Sequence, residues 1–256
     1  MKISQSSQQS YLDQMMLRIQ THALSFLQEE NANVLHALRV SIKKYRAFVA
    51  VLSALHKNKE YKNLLSSLKI IFAEAGKIRE LQVNRINLQK LSLSTEHLDQ
   101  QFLWLEQSLA HSFKAGLIRH CLLANEQHQK LVSLLESISI AELNKWLKKK
   151  IRKISKAIQS NADLHEVRKD LKRLLYLRES LSPKIFRAIQ INAAFIDELQ
   201  EIIGSWHDQL RLNAYLKAHH KLPTQQWKTL DKAANQLLTK VKQTIISFDA
   251  KIKINL

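Results

Sequence analysis

Three glycines and two prolines are the only residues of those types in a chain of 256. This scarcity constrains the fold more than any other feature. Strand-rich folds draw on Gly and Pro at their many turns, so a chain almost without them is built from long helices joined by short polar loops. No Val-, Ile- or Thr-rich alternating run argues otherwise. Apolar spacing predicts helices near 9–31, 34–57, 60–75, 77–92 and 95–135, the last with a break near Gly116. A second set follows near 139–160, 163–181, 185–203, 205–220 and 224–250. The fold class is all-α, and an apolar content of 45% is enough for a sizeable core. Residues 1–8 are polar and unpatterned, and a flexible tail is expected there.

One helix has unusual chemistry. His36, Arg39, Lys43 and Arg46 fall within about 80° of one another at 100° per residue. Leu35, Leu38, Ile42, Val49 and Leu52 flank them on one side, and Val40, Ala47 and Val51 on the other. A cationic row is ordinarily a solvated face with snorkelling stems. A solvated face mixes in acids for i, i+4 pairing, yet none occurs between Asn33 and Leu52.

The pattern also returns. Asp163–Leu181 overlays Val34–Leu52 without a gap, so that Leu35, His36, Arg39, Lys43 and Leu52 recur as Leu164, His165, Arg168, Lys172 and Leu181. Lys44 becomes Arg173, and Arg46 becomes Leu175. A second pair follows at nearly the same offset: "GKIREL" from Gly76 and "GSWHDQ" from Gly204, with Arg79 opposite His207 and Glu80 opposite Asp208. Glycine within helical sequence marks a C-terminal cap or a close helix approach, and the helix map above ends one helix at each. The chain thus reads as two homologous halves, 9–135 and 138–256.

Asn33 is expected to cap the first basic helix. Asp163, with Glu166 in a capping box, is expected to cap the second. Both histidines would then lie in a first turn, where unpaired N–H groups and the helix dipole favour an anion. A third basic feature, "KWLKKKIRKISK" from Lys145 to Lys156, carries no acid. Leu147, Ile151, Ile154 and Ile158 form its apolar stripe, and Lys145, Lys149, Arg152, Lys153 and Lys156 line the opposite side.

Forty Lys and Arg against 22 Asp and Glu give a net charge of +18, a self-repulsion that an acidic partner would relieve. Cys121 is the single cysteine, which excludes an intramolecular disulfide and fits a reducing compartment. The N-terminus lacks the apolar core of a signal peptide, and no stretch approaches a membrane span. A cytoplasmic location without membrane contact is expected. Trp104, Trp146, Trp206 and Trp227 stand among apolar neighbours and are expected in the core.

The duplicated "LHALRVSIKK" and "LHEVRKDLKR", each followed by a glycine segment, resemble the CHAD family, the conserved-histidine α-helical domain. The resemblance covers essentially the whole chain after the tail. It implies two antiparallel four-helix-type bundles related by internal duplication about a pseudo-twofold axis, with a central basic cavity that binds inorganic polyphosphate. Carried over by position, the ligands would be His36, Arg39, Lys43, Lys44 and Arg46 from the first half, and His165, Arg168, Lys169, Lys172 and Arg173 from the second. Arg79, His207 and the Lys149, Arg152, Lys153 and Lys156 face join them as candidates. The glycine segment departs from the family pattern: its two acids become Glu80 and Gln82 in one copy, and only Asp208 remains in the other. Acids there would orient the arginines through charge-assisted bonds.

The partners implied are polyphosphate or another polyanion, and proteins of polyphosphate metabolism, with association to polyphosphate granules. A linear polyanion offers charge without base edges, which suits Arg forks and Lys point charges. No cofactor, metal or catalytic residue is expected. Two rival readings stand beside this one. A charge of +18 would also draw nucleic acid through counterion release, although aromatic residues for base stacking are few. The His207–Asp208 pair is of a kind that metal phosphohydrolases use, but His36 and His165 sit among cations that would repel a divalent ion. Cys121 lies on an apolar stretch and reads as a packed thiol.

Overall fold

The computed structural model describes residues 2–90, 96–160, 163–181, 191–219 and 223–252. Helices α1 (Gln5–Gln28), α2 (Ala32–Leu55), α3 (Glu60–Asn63), α4 (Ser66–Lys90) and α5 (Glu96–Ser133) are followed by α6 (Ile140–Gln159), α7 (Leu164–Ser180), α8 (Ala193–His219), α9 (Thr224–Ile246) and α10 (Phe248–Lys251). The all-α expectation holds. Residues 185–190 of the predicted 185–203 helix lie outside the described residues. The chain divides into two compact units, Met1–Gln82 with Glu96–Leu143, and Val83–Thr95 with Asn144–Leu256. The division does not follow the sequence halves, since residues 83–95 fall with the second unit.

Three sequence expectations are corrected. Gly76 and Gly204 end no helix: α4 and α8 run through them. Gly116 likewise leaves α5 unbroken over 38 residues. A single helical glycine costs about 1 kcal/mol relative to alanine, too little to stop a helix whose apolar face is packed.

The segment expected as a tail is instead tied down over residues 2–8. Lys2–Ile3 (β1) pairs antiparallel with Ile138–Ser139 (β2), and Ile3 and Ile138 are buried. Ser4 caps α1 through the amide of Ser7. The Gln8 side chain donates to the Ile3 and Glu136 carbonyls at 3.2 and 2.7 Å.

In the first unit, α1 packs against α2 and α5. The α2 core residues Leu35, Leu38, Ile42, Tyr45, Val49 and Leu52 follow 3-4 spacing and are at most 1% exposed. A polar chain crosses this core. Tyr45 Oη and His128 Nδ1 lie 3.0 Å apart, and His128 Nε2 lies 2.8 Å from Asp13 Oδ1. His128 is buried, and the network satisfies both of its ring nitrogens. In the second unit α7 packs against α8, and α8 against α9, over Val167, Leu171, Leu174, Leu199, Ile203, Leu212 and Leu230. The predicted α6 stripe of Leu147, Ile151, Ile154 and Ile158 is buried as expected.

The tryptophans are a further correction. Trp146, Trp206 and Trp227 are only half-buried, and Trp104 is 67% exposed. The apolar sequence neighbours of Trp104 at i±1 point away from it on other sides of the helix.

Candidate functional site

The first basic row is built on α2. Asn31, not Asn33, is the N-cap: its side chain accepts from the amide of Asn33 at 2.8 Å. The helix therefore starts earlier than expected, and His36 is its fifth residue rather than a member of the first turn. His36 is exposed, while Arg39, Lys43, Lys44 and Arg46 are half-buried. Three of these cations converge on one ring. Arg39 Cζ, Arg46 Cζ and Lys43 Nζ lie 4.2, 5.0 and 5.7 Å from the centroid of Phe72 on α4. A ring face with negative quadrupole holds like charges together that would otherwise spread apart.

Arg39 also donates through Nη1 to the Phe72 carbonyl at 2.5 Å. This carbonyl lies four residues before Gly76, and the absence of a side chain at 76 makes room for the fork. A Cβ there would stand 2.7 Å from Nη1. Of the two readings of a helical glycine, close approach is the correct one, and the approaching group is a guanidinium.

The second row repeats this on α7 and α8. Arg168 Nε donates to the Gln200 carbonyl at 3.1 Å, again four residues before the glycine. A Cβ at Gly204 would meet Nη2, Nε and Cζ of Arg168 at 2.5, 2.7 and 2.9 Å. Gln200 replaces Phe72, so the backbone acceptor is kept and the aromatic platform is lost. Asp163 caps α7 as expected, its side chain accepting from the His165 amide at 2.8 Å. The expected capping box does not form: the Asp163 side chain takes the His165 amide rather than that of Glu166, and the Glu166 carboxylate pairs with Lys169 at 2.6 Å.

His165 lies in the first turn and stacks on His207 of α8, centroids 4.1 Å apart at 19°. Burial lowers the pKa of both rings. Lys169 lowers that of His165 further, and His165 itself that of His207. Lys172 is brought down to about 8 by burial and by Arg168, against the opposing pull of Asp208, Asp197 and Glu201. Each of these bases holds its proton less well when folded than unfolded. The unfolded chain binds more protons between the folded and unfolded pKa values, so folding stability rises with pH through those windows. For the histidines the window lies below 6.5, and for Lys172 it runs from about 8 to 10.5.

The Lys-rich face of α6 has a counter-ion that its own sequence lacks. Asp170 of α7 is buried and lies 2.6 Å from Arg173, 3.7 Å from Lys150 and 3.8 Å from Lys153. Lys145, Lys149, Arg152 and Lys156 stand on the exposed side. Asp170 is the buried anion among three partly exposed cations, and removing it leaves those like charges facing one another. Asp170→Ala is therefore expected to destabilise the protein by about 2 kcal/mol in denaturant titration. An unchanged midpoint would show that water already screens the cluster.

Around the glycine segments, Arg79 donates to Gln82 at 3.2 Å, and Gln82 passes a bond on to Glu106 of α5 at 2.6 Å. Gln82 thus occupies the place of the missing acid and reaches a carboxylate one residue further on. His207 Nδ1 and Asp208 Oδ1 are 3.9 Å apart. No group of three or more His, Cys, Asp or Glu residues able to hold a metal ion occurs among the described residues. Burial pushes the Cys121 thiol up to about 11, which keeps it protonated at neutral pH. No helix among the described residues is long and apolar enough to cross a membrane.

Sequence reasoning missed Phe72, Asp170, Asp197 and Glu201. Phe72, Asp197 and Glu201 act on the rows from a neighbouring helix and Asp170 acts on the α6 face from α7, and only the fixed offset between Arg39 and Gly76, repeated within one residue at Arg168 and Gly204, hinted at such pairing.

The sequence model of the CHAD domain matches residues 10–217. No curated protein matches the sequence. Among solved structures, the crystal structure of the CHAD domain from the plant Ricinus communis superimposes with a TM-score of 0.68 at 17% identity, covering 97% of this chain and 90% of that one. Sequence match and helical architecture agree, and the chain belongs to the CHAD domain family.

Proposed function

We propose that the protein is a non-catalytic receptor for inorganic polyphosphate, whose two basic rows arose by internal duplication. The observation that carries this reading is the repeated seating of an arginine fork on a helix carbonyl beside a glycine, with lysines following one turn on in each copy. Fixed forks lose little conformational entropy when they meet phosphate oxygens, and the +18 charge gathers the polymer. The ring at the first row, Phe72, has Arg39, Lys43 and Arg46 gathered over it rather than a face open to a stacking base, which favours a polymer of phosphates over nucleic acid.

The test is a competition titration. Labelled long-chain polyphosphate at moderate salt is challenged with duplex DNA, RNA and heparin at matched charge. Resistance to large excesses of all three is expected. If all compete alike and binding collapses with salt, the surface is generically basic and the nucleic-acid reading takes its place.

Proton linkage provides a second test. Phosphate favours the charged form of His165, His207 and Lys172, which burial disfavours in the unliganded protein, so binding takes up protons. Affinity is expected to fall steadily from about pH 6 to about pH 9. The lower limb belongs to the histidines, whose pKa burial holds below the ordinary 6.5, and the upper, around 8, to Lys172. His207→Phe should flatten the first and Lys172→Arg the second. A pH-independent affinity would mean that phosphate does not reach the second row.

A further inference from the structure

The face of the first unit formed by α1 and α5 has a chemistry opposite to that of the rows. Of the eleven large apolar side chains exposed among the described residues, seven are on these two helices. Leu17 and Leu24 of α1 and Trp104, Ile118 and Leu122 of α5 are 57–67% exposed. On α5, Ser108, His111, Ala115, Ile118 and Leu122 all fall within about 40° of Trp104, and all six are exposed. Their 4-3-4-3-4 spacing is that of a helix–helix seam. Gln20 donates to Asn125 at 3.2 Å. Phe26 meets Phe113 at 5.7 Å further along, so α1 and α5 run antiparallel, and Leu24 stands level with Ile118 and Leu122 while Leu17 continues the apolar surface past Leu122 at the Asn125 end. The two sets form one patch.

Charge selects the occupant. Helix α1 carries Asp13 and Arg18, net 0. Helix α5 carries Glu96, Asp99, Glu106 and Glu126 against Lys114, Arg119 and Lys130, net −1. In a chain of net +18 this is a surface by which two copies can approach without bringing basic rows together. The stripe is about 27 Å long. Widened by the α1 leucines at one end, it covers about 500 Å², short of the roughly 800 Å² per partner of a standard interface and suited to a weak, concentration-dependent dimer.

We propose that this face pairs with the same face of a second copy, α5 against α5, antiparallel about a twofold axis near Phe113. That register sets Trp104 opposite the partner's Leu122, Ser108 opposite the partner's Ile118 and His111 opposite the partner's Ala115. Large residues meet small ones at two of the three levels, as interdigitating seams require.

The test is light scattering of the full chain at tens of micromolar. The expected mass is twice 29.7 kDa. Dimerisation should strengthen from about 0.1 M to about 0.5 M salt as repulsion between the two basic chains is screened, the reverse of polyanion binding. Ile118→Asp with Leu122→Asp should give a monomer with an unchanged circular dichroism spectrum. Independently, Ser112→Cys in a Cys121→Ser background should cross-link to itself with a short bismaleimide, because the twofold brings position 112 of both copies to the same flank. A monomer at every salt concentration overturns the proposal and leaves the face to a different protein. A dimer that survives both aspartates, or a failure of the Ser112→Cys variant to cross-link, overturns it as well.

Discussion

Replacing Arg39 and Arg168 together with alanine is expected to weaken polyphosphate binding by about two to four orders of magnitude, since each charge-assisted contact contributes about 1.5–3 kcal/mol. Removing Lys228 and Lys232, two exposed cations of α9, lowers the net charge equally. It is expected to cost less than about thirtyfold, because exposed charges each contribute about 0.2–1 kcal/mol. Equal losses in the two double variants would mean that net charge alone governs binding, and the row model would fail. Arg39 and Arg168 also hold helix to helix through the Phe72 and Gln200 carbonyls, so some stability is lost with them. Lysine at both positions separates the effects: charge is retained while the fork is lost, and affinity should fall to an intermediate value.

The glycines give the second large effect. Gly76→Ala with Gly204→Ala leaves every charge in place and is expected to lower affinity by about one order of magnitude, by pushing both forks off their seats. The stability consequences differ between sites. At 76 the new methyl meets only the end of the Arg39 side chain, Nη1 at 2.7 Å. The gain of about 1 kcal/mol in helix propensity roughly offsets the lost bond. At 204 it meets Nε, Cζ and Nη2 together, the whole group must shift, and a net loss of about 1–2 kcal/mol is expected. Gly116 supplies the control: its nearest neighbour is His120 at 3.6 Å, so alanine fits and should stabilise by about 1 kcal/mol. Thermal melts of the three single variants check the order. An affinity untouched in the 76/204 variant would show that the seats play no part in binding.

The helices themselves are legible because their signal is local. Apolar residues recur at 3-4 spacing along α2 and α6, and the same positions are buried. The rows are legible for the same reason, as is the Asp163 cap. What escapes a reading along the chain depends on other helices. Asp170 neutralises part of the α6 face from α7, and Phe72 gathers the first row from α4. The N-terminal residues resemble a tail because their partners, Ile138 and Ser139, lie more than 130 positions away. Trp104 is misleading because its apolar neighbours along the chain are distributed by the helix over its whole circumference. Gly76 and Gly204 stay ambiguous until the group approaching them is known, since a helix end and a close approach ask for the same residue.

The seating of Arg39 on Gly76 and of Arg168 on Gly204 has a consequence for how such chains can diverge. Neither member of a pair is constrained by itself: the glycine is required only while the arginine occupies its place, and the arginine fits only while the glycine remains. The two are therefore expected to be kept or lost together, at a spacing of 37 residues in the first pair and 36 in the second. A descendant that has lost the arginine should accumulate alanine or serine at the glycine, whereas changes in the reverse order should be rare, because the first step would dislodge the fork. Joint loss of both residues in one half would then identify a domain that has retired that half from ligand binding while keeping its helices.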